Sequence, residues 1–330
     1  MSTPSALQSR VSVIIPVYGT AHFVAEALDS VLSQTNKDYE IIVVNDGSPD
    51  SKLLDEVLVP YLGRITYIVQ ENRGLAAARN TALKLARSQY AAMLDSDDRW
   101  HPDYLASQIA ILDADPTIDV VYPDAVRFGS ASTKPTRYSE EYPMGGDISF
   151  LRVLSRECQI YGGVTARRET LLRVGLYDEE LRSAQDFDLW LRVLKGGGRI
   201  TYNDRVLAYY RTREGSQTSD GVTLCKYVLM ILDKVGREMK LTAEERATLD
   251  RQRADTAAML SLFEGKRAFI EGDTRTAITK LKVAADHTNS WKLQVAIVCL
   301  RIAPSILHRL YRVRQSWERR RAEPIPSVAS

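Results

Sequence analysis

Residues Asp95-Ser-Asp-Asp98 put three carboxylates into four positions, directly after the apolar run Tyr90-Ala-Ala-Met-Leu94 and before Trp100 and Pro102. Carboxylates this close repel one another unless a cation or a set of hydrogen-bond donors compensates them. Hard oxygen ligands select Mg2+ or Mn2+, and a D-x-D pair can hold one ion that also takes oxygens of a diphosphate. The same triplet fits a turn whose last Asp caps the next helix. Asp46 lies in Val44-Asn-Asp-Gly-Ser-Pro-Asp50. A carboxylate at a strand end can accept the imide N–H of a uracil or thymine ring; before Gly47 it equally suits a turn. Gln185-Asp-Phe-Asp-Leu-Trp-Leu-Arg192 opens a helix. Asp186 and Asp188 fall near its start, where the macrodipole favours anions. They point in different directions, so at most one faces a ligand, and Leu189, Trp190 and Val193 are expected to face the core.

These side chains need a frame. Short β-rich runs predict strands at 11–17, 39–44, 65–69, 90–94 and 119–122, and helical periodicity predicts helices at 21–34, 51–62, 75–87 and 103–113. Such alternation with apolar strands implies an α/β fold, a parallel sheet covered on both faces. Each of the first four strands ends in a polar or turn-forming cluster: Pro16-Val-Tyr-Gly19, Asn45 to Asp50, Glu71-Asn-Arg-Gly74 and Asp95 to Asp98. In a parallel sheet these ends share one edge, where ligands of open α/β sheets bind, so the four clusters are expected to converge on one crevice. Gly196-Gly-Gly198 follows a helix and reads as its C-terminal turn. Beyond about residue 215 the pattern is helical. Gly265, Ala268, Gly272, Ala277, Leu281 and Ala284 resemble one tetratricopeptide-like hairpin, and a solenoid would need about three. The expected division is a catalytic domain over 1–215 and a helical region over 216–330.

Length and composition agree with that division. A chain of 330 residues suits two domains, and 45% hydrophobic with 26% charged residues implies a proper core, which excludes disorder and collagen-like repeats. With 44 Lys+Arg against 42 Asp+Glu, nucleic acid is not an expected partner. Cys158, Cys225 and Cys299 are scattered, as reduced thiols of a cytoplasmic protein would be, and the four His lack zinc-ligand spacing. The first ten residues contain no apolar stretch, so no signal peptide is expected. The near-neutral total conceals a basic tail: from Arg301 to Arg321 seven Arg face one Glu, a net of +6, leaving the rest mildly acidic. Leu293, Ile297, Leu300 and Ile302 precede Pro304, and Ile306, Leu307, Leu310 and Val313 follow it. Over 293–321 this is a kinked basic amphipathic element, either lying on an anionic membrane surface or packed on the catalytic domain with its Arg residues solvated.

Four stretches, Val11 to Asp50, Glu71 to Leu83, Tyr90 to Leu105 and Gln185 to Arg192, in this order and spacing, resemble the family 2 glycosyltransferases of GT-A fold. The resemblance covers roughly residues 10–215. It implies a Rossmann-like, mostly parallel sheet with helices on both faces, followed here by the helical C-terminal region. It also implies inverting transfer of a sugar from a UDP- or dTDP-sugar to a hydroxyl of a glycan or lipid-linked acceptor, with Mg2+ or Mn2+, in bacterial surface polysaccharide or lipid-linked glycan assembly. The location implied is cytoplasmic, peripheral to the inner face of the cytoplasmic membrane if the tail docks there. Carried over by position, Pro16 and Tyr18 line the nucleotide base and Asp46 pairs with uracil. Arg79 lies near the nucleotide pocket, though a surface helix Arg is an equal reading. Asp95 lies near ribose and metal, Ser96 with it, Asp97 is the direct metal ligand and Asp186 the general base. Gln185 stands where Glu is common. Tyr210-Arg211 followed by Ser216 resembles the family's Y-R-x-H-x-x-S segment with Arg213 in place of His; an Arg could contact phosphate but not ligate metal. Gly162-Gly163 is expected near the acceptor.

Two other functions fit an α/β frame. A sugar nucleotidyltransferase would need a basic, Gly-rich phosphate loop after the first strand, which Pro16-Val-Tyr-Gly-Thr-Ala-His-Phe23 lacks. A non-catalytic binding protein would use the helical hairpin and tail, and the intact Asp46, Asp95, Asp97 and Asp186 argue against it.

Overall fold

The structure is a computed structural model; residues 9–129, 135–213 and 220–311 are described. Ser216 and the tail beyond Tyr311, including Val313, lie outside them. Met1–Ser219 with Val235–Leu249 form one compact unit, and Asp220–Lys234 with Asp250–Ser330 form a second.

In the first unit β1 (Val11–Val17), α1 (Ala21–Leu32), β2 (Tyr39–Asp46), α2 (Ser51–Leu58), a 3-10 turn (Val59–Tyr61), β3 (Thr66–Gln70), α3 (Leu75–Leu85) and β4 (Tyr90–Met93) alternate as the sequence periods require. Then follow β5 (Arg99–Trp100), α4 (Tyr104–Ala114), β6 (Val120–Phe128), β7 (Thr136–Arg137), α5 (Tyr138–Glu141), α6 (Phe150–Leu154), β8 (Thr165–Arg167), α7 (Arg168–Arg173), α8 (Gln185–Lys195) and β9 (Ile200–Arg211). The sheet order is β3-β2-β1-β4-β8-β6-β9-β5, with β7 paired on β6. The β3-β2-β1-β4 part is parallel, as is the long β6–β9 pair, so most of the ladder is parallel. β8 enters antiparallel between β4 and β6. β6 runs six residues past the strand expected at 119–122, because β9 pairs with it as far as Phe128 and Arg211. Pro123 and Asp124 resemble a strand end in sequence; register shifts there let the ladder continue past the proline.

β1 is the central buried strand: Val11, Val13, Ile14, Ile15 and Val17 are all inaccessible or nearly so. Strand order reverses across it, which is where open α/β sheets part to admit ligands. Pro16 sits at that parting. The Ile14 carbonyl accepts from Leu94 N–H, and β1–β4 pairing stops at Ile14 and Met93. Pro16 is two residues further along the same edge, so its missing N–H removes no ladder bond. α8 ends as Gly196-Gly-Gly198 predicts: Gly198 N–H reaches Val193 O at 2.9 Å and Gly197 N–H reaches Leu194 O at 3.1 Å, a Schellman turn.

The C-terminal part of the chain is helical: α9 (Gly221–Glu238), α10 (Ala243–Glu271), α11 (Thr274–Thr288) and α12 (Trp291–Ile302), then a helix Pro304–Tyr311. The expected hairpin is present in the second unit. Ala268, Ala277, Leu281 and Ala284 are buried, and a Cβ on Gly265 would stand 2.8 Å from Leu281 Cγ, so the close approach of α10 to α11 requires glycine there. Leu281, Ala285, Ile297 and Leu300 form a buried cluster in this unit. No single helix among the described residues is long and apolar enough to cross a membrane; α12 and Pro304–Tyr311 pass by length and composition only together, bent by 116°. Cys158, Cys225 and Cys299 are all free thiols.

Candidate active site

The four strand-end clusters lie at the carboxyl ends of β1 to β4, which the parallel pairing puts on one edge. Asp46, the last residue of β2, is 3% exposed. Its Oδ1 accepts from Gln70 Nε2 at 2.8 Å and Arg73 N–H at 2.9 Å, and its Oδ2 accepts from Gly74 N–H at 2.7 Å. The carboxylate thus organises the β3–α3 loop. This settles the local bonding that a turn Asp would make and leaves Oδ2 with further acceptor capacity. Gly47 adopts φ +62°, and a Cβ there would meet Asn72 N at 2.7 Å, so only glycine lets the two loops approach. Asp50 joins this loop to the next: it accepts Ala21 N–H at 2.9 Å at the start of α1. Burial would raise its carboxyl, but the bonds from Ser48 and Ala21 hold it below the usual range. Tyr18, just past β1, is half exposed.

The β4–β5 loop divides its carboxylates between two tasks. Asp98 is buried and turned inward, where it accepts Arg211 N–H at 2.8 Å and the Tyr161 hydroxyl at 3.0 Å. Burial, with Asp95 and Asp97 beside it, pushes its carboxyl well above the ordinary range. It is not the helix cap that the sequence allowed; α4 has Asp103 at its N-cap position. Ser96 is buried and bonded to Thr20 Oγ1 at 2.7 Å, which ties this loop to the β1–α1 loop. Asp95 and Asp97 remain partly exposed, their side chains at 39% and 19%. Arg213, in the position read as a His substitution, donates from Nε to Asp97 Oδ2 at 2.7 Å. Burial raises the Asp97 carboxyl, and Arg213 opposes the rise. Arg211 is fixed differently: it donates to the Asp97 carbonyl at 2.7 Å and Glu26 at 2.8 Å, and its guanidinium covers the Phe23 and Phe128 rings.

α8 brings the last carboxylate. Ala184 precedes it with φ 57°, a left-handed conformation that alanine seldom adopts, immediately beside Gln185 and Asp186. Asp186 Oδ1 accepts from Arg79 Nη1 at 3.0 Å, while Arg79 Nη2 donates to Asp95 Oδ1 at 2.8 Å. Arg79 is 1% exposed, so the surface-helix reading is corrected: it shares the buried face of α3 with Ala76 and Leu83. Tyr177 lies 5.2 Å from its guanidinium and is held there by a reciprocal pair of bonds between Asn80 and the Tyr177 backbone. Burial pushes the Asp186 carboxyl above its usual range against the pull of Arg79, and Asp95 adds to the rise. Asp186 Oδ2 lies next to Gly162, where an added Cβ would be 3.5 Å away. Gln185 is buried, and its Nε2 has no hydrogen-bond partner.

Asp188 points the other way, as the helix period requires. It is fully buried and takes two bonds from Arg192, at 2.9 and 2.6 Å. Asp188→Ala is expected to cost about 3 kcal/mol of stability, because it leaves Arg192 half of a buried ion pair. Thermal denaturation would read this directly, with nucleotide affinity unchanged in the surviving folded protein.

The sequence reading did not foresee Tyr161 or the inward role of Asp98, and it left Arg79 undecided. For Arg79 a signal existed, since it falls at helical spacing between Ala76 and Leu83. For Tyr161 and Asp98 none did, because their bond spans 63 positions. Among the described residues no group of three or more His, Cys, Asp or Glu side chains surrounds a common point. Asp95 and Asp97 are a two-carboxylate donor set, the kind that holds Mg2+ together with substrate phosphates and water.

The family described as glycosyl transferase family 2 matches residues 12–172. A glycosyltransferase of Rickettsia typhi (strain ATCC VR-144 / Wilmington) is 30% identical over 270 residues, 79% of this chain and 81% of its own. The glycosyltransferase EpsJ of Bacillus subtilis (strain 168) is 32% identical over 63% of this chain and 62% of its own. Among solved structures, residues 1–349 of S. aureus TarS in complex with UDP-GlcNAc align with TM-score 0.61 at 20% identity, over 92% of this chain and 91% of that one. The mannosyltransferase PcManGT from Pyrobaculum calidifontis, in complex with GDP-Man and Mn2+, aligns with TM-score 0.59 at 21% identity, over 94% and 85%. The chain belongs to glycosyl transferase family 2. It is a glycosyltransferase with a GT-A-like fold, which decides against the nucleotidyltransferase and the non-catalytic binding protein.

Proposed function

We propose that this glycosyltransferase moves a sugar from a UDP- or dTDP-sugar to an acceptor hydroxyl with inversion, and that it needs Mg2+ or Mn2+. One observation carries the reading: a single buried guanidinium, Arg79, is bonded to both Asp95 and Asp186 and so links the D-x-D loop to the start of α8. The UDP-GlcNAc and the GDP-Man with Mn2+ held by the two solved neighbours support a nucleotide-sugar donor and a divalent ion.

In this reading Tyr18, Pro16 and Asp46 form the wall for the nucleotide base, with Asp46 Oδ2 accepting the imide N–H in addition to Gly74 N–H. Ser96 holds the loop that presents the ribose and diphosphate side. Asp95 and Asp97, each also bonded to an arginine, would hold the metal. When bound, that ion neutralises charge on the departing diphosphate. Arg213, already beside Asp97, supplies a second positive charge to the same phosphates. Asp186 Oδ2, beside Gly162, takes the proton of the acceptor hydroxyl as its oxygen attacks the anomeric carbon from the face opposite the leaving group. A carboxyl raised by burial is a stronger base than a solvated one, and Arg79 opposes the rise. The acceptor is a glycan or lipid-linked glycan of bacterial surface polysaccharide assembly, and the enzyme works at the inner face of the cytoplasmic membrane.

Incubation with a panel of nucleotide sugars, with Mn2+ and then with chelator, tests this. Turnover is expected only with the ion and to return when Mn2+ is restored, and the product should carry the opposite anomeric configuration by NMR. Undiminished transfer in chelator would remove the metal, and retained configuration would remove the single displacement.

A further inference from the structure

α12 is apolar on two opposite faces. Leu293, Ile297 and Leu300, three of the residues that suggested a membrane face in the sequence, pack inward against Leu281 and Ala285. The outer face repeats the pattern: Trp291, Val295, Val298 and Ile302 are 67%, 52%, 50% and 78% exposed. At 100° per residue these four lie within about 60° of one another, on the side away from the packed residues. Building the hairpin core accounts for the inner face and leaves the outer one unexplained. A contiguous apolar stripe left in water with a charged rim marks a docking or membrane surface. The stripe continues past the bend: Ile306 and Leu310 are exposed, while Leu307 packs inward and His308 and Tyr311 lie against Phe269.

The charge around the stripe has one sign. Lys292 and Arg301 flank it on either side, both exposed, and Arg309 is exposed beside Leu310. From His287 to Tyr311 the sequence has no Asp or Glu. We propose that this outer stripe, Trp291-Val295-Val298-Ile302 with Ile306 and Leu310, is a docking surface for an anionic lipid bilayer. The apolar side chains enter the boundary between headgroups and acyl chains, and Lys292, Arg301 and Arg309 meet the phosphates. Trp291 suits the interfacial layer. A second copy of the chain fits less well: two-fold pairing through the stripe would bring the basic flanks of both copies together, with no acidic residue in the segment to compensate them. The inference is independent of the chemistry proposed for the carboxylates.

Flotation of the full-length protein with phosphatidylcholine vesicles, and with vesicles that also contain phosphatidylglycerol, provides the test. The protein is expected to float with the anionic vesicles at low salt, less as salt rises, and not with phosphatidylcholine alone. Val298→Glu with Ile302→Glu should weaken flotation by about tenfold or more. Val283→Glu, at an exposed position on α11, should leave flotation unchanged. All three positions are exposed, so the variants should fold, and circular dichroism with donor turnover confirms it. Absence of wild-type flotation at low salt, or equal flotation of the double variant, overturns the proposal. A dimer in sedimentation velocity that the double variant splits would assign the stripe to a second copy instead.

Discussion

Asp186→Asn is expected to lower the turnover number by about 10²–10⁴-fold while nucleotide affinity stays close to that of the wild type. The amide is nearly isosteric and its oxygen can still accept from Arg79 Nη1, so both hydrogen bonds of the Arg79 bridge are kept and the loop around the donor is undisturbed. What is lost is the proton acceptor at Oδ2, the oxygen beside Gly162. The loss should therefore fall on the chemical step: a lower kcat with calorimetric nucleotide binding unchanged. Turnover at the wild-type rate would show that another group takes the proton and would remove Asp186 from the reaction.

Arg79→Met should give the second largest effect, and it separates positioning from simple support. Arg79 is bonded to both Asp95 and Asp186. Burial and Asp95 push the Asp186 carboxyl up, and Arg79 pulls it down. Without the guanidinium the carboxyl rises further, so at neutral pH less of it is ionised. The acid limb of the pH profile of kcat/KM is then expected to move to higher pH, and each unit of movement costs about tenfold in rate on the acid side of the limb. Arg79→Lys keeps the charge but gives up the two-pronged geometry, so it should move the limb less. Stability should fall by about 1–3 kcal/mol in the Met variant, toward the lower end because the Asp95 side chain is 39% exposed and can recover solvent. A lower melting temperature with an unmoved acid limb would make Arg79 a support of the fold alone.

Much of the first unit is readable along the chain. The runs Val11–Val17 and Tyr39–Asp46 are β-branched and buried on both faces, so no other element competes for them. The parallel order then brings Asp46 and the Asp95–Asp97 loop to one edge, because strands joined by single helices must run in the same direction. The divided roles of Asp186 and Asp188 follow from the helical period. The reading failed where a residue's task depends on a partner far away in the chain. Asp98 looks like a third metal carboxylate or a cap until Tyr161 and the end of β9 are folded against it. β6 appears to stop at Pro123 until β9 arrives alongside.

The two faces of α12 show the same division in one helix. Its composition alone establishes that it is too apolar to be an ordinary solvent-facing helix. Which apolar face is spent on the hairpin and which is left outward was decided only when Leu281 and Ala285 of α11 met Ile297 and Leu300. By itself the sequence determined the strands, their direction and the carboxylates at their ends, because those depend on periodicity within a few residues. The tertiary structure decided which two carboxylates share Arg79, which one is consumed by Tyr161 and Arg211, and which hydrophobic stripe stays in water. Those outcomes depend on pairings across tens of residues, and a local pattern carries no record of them.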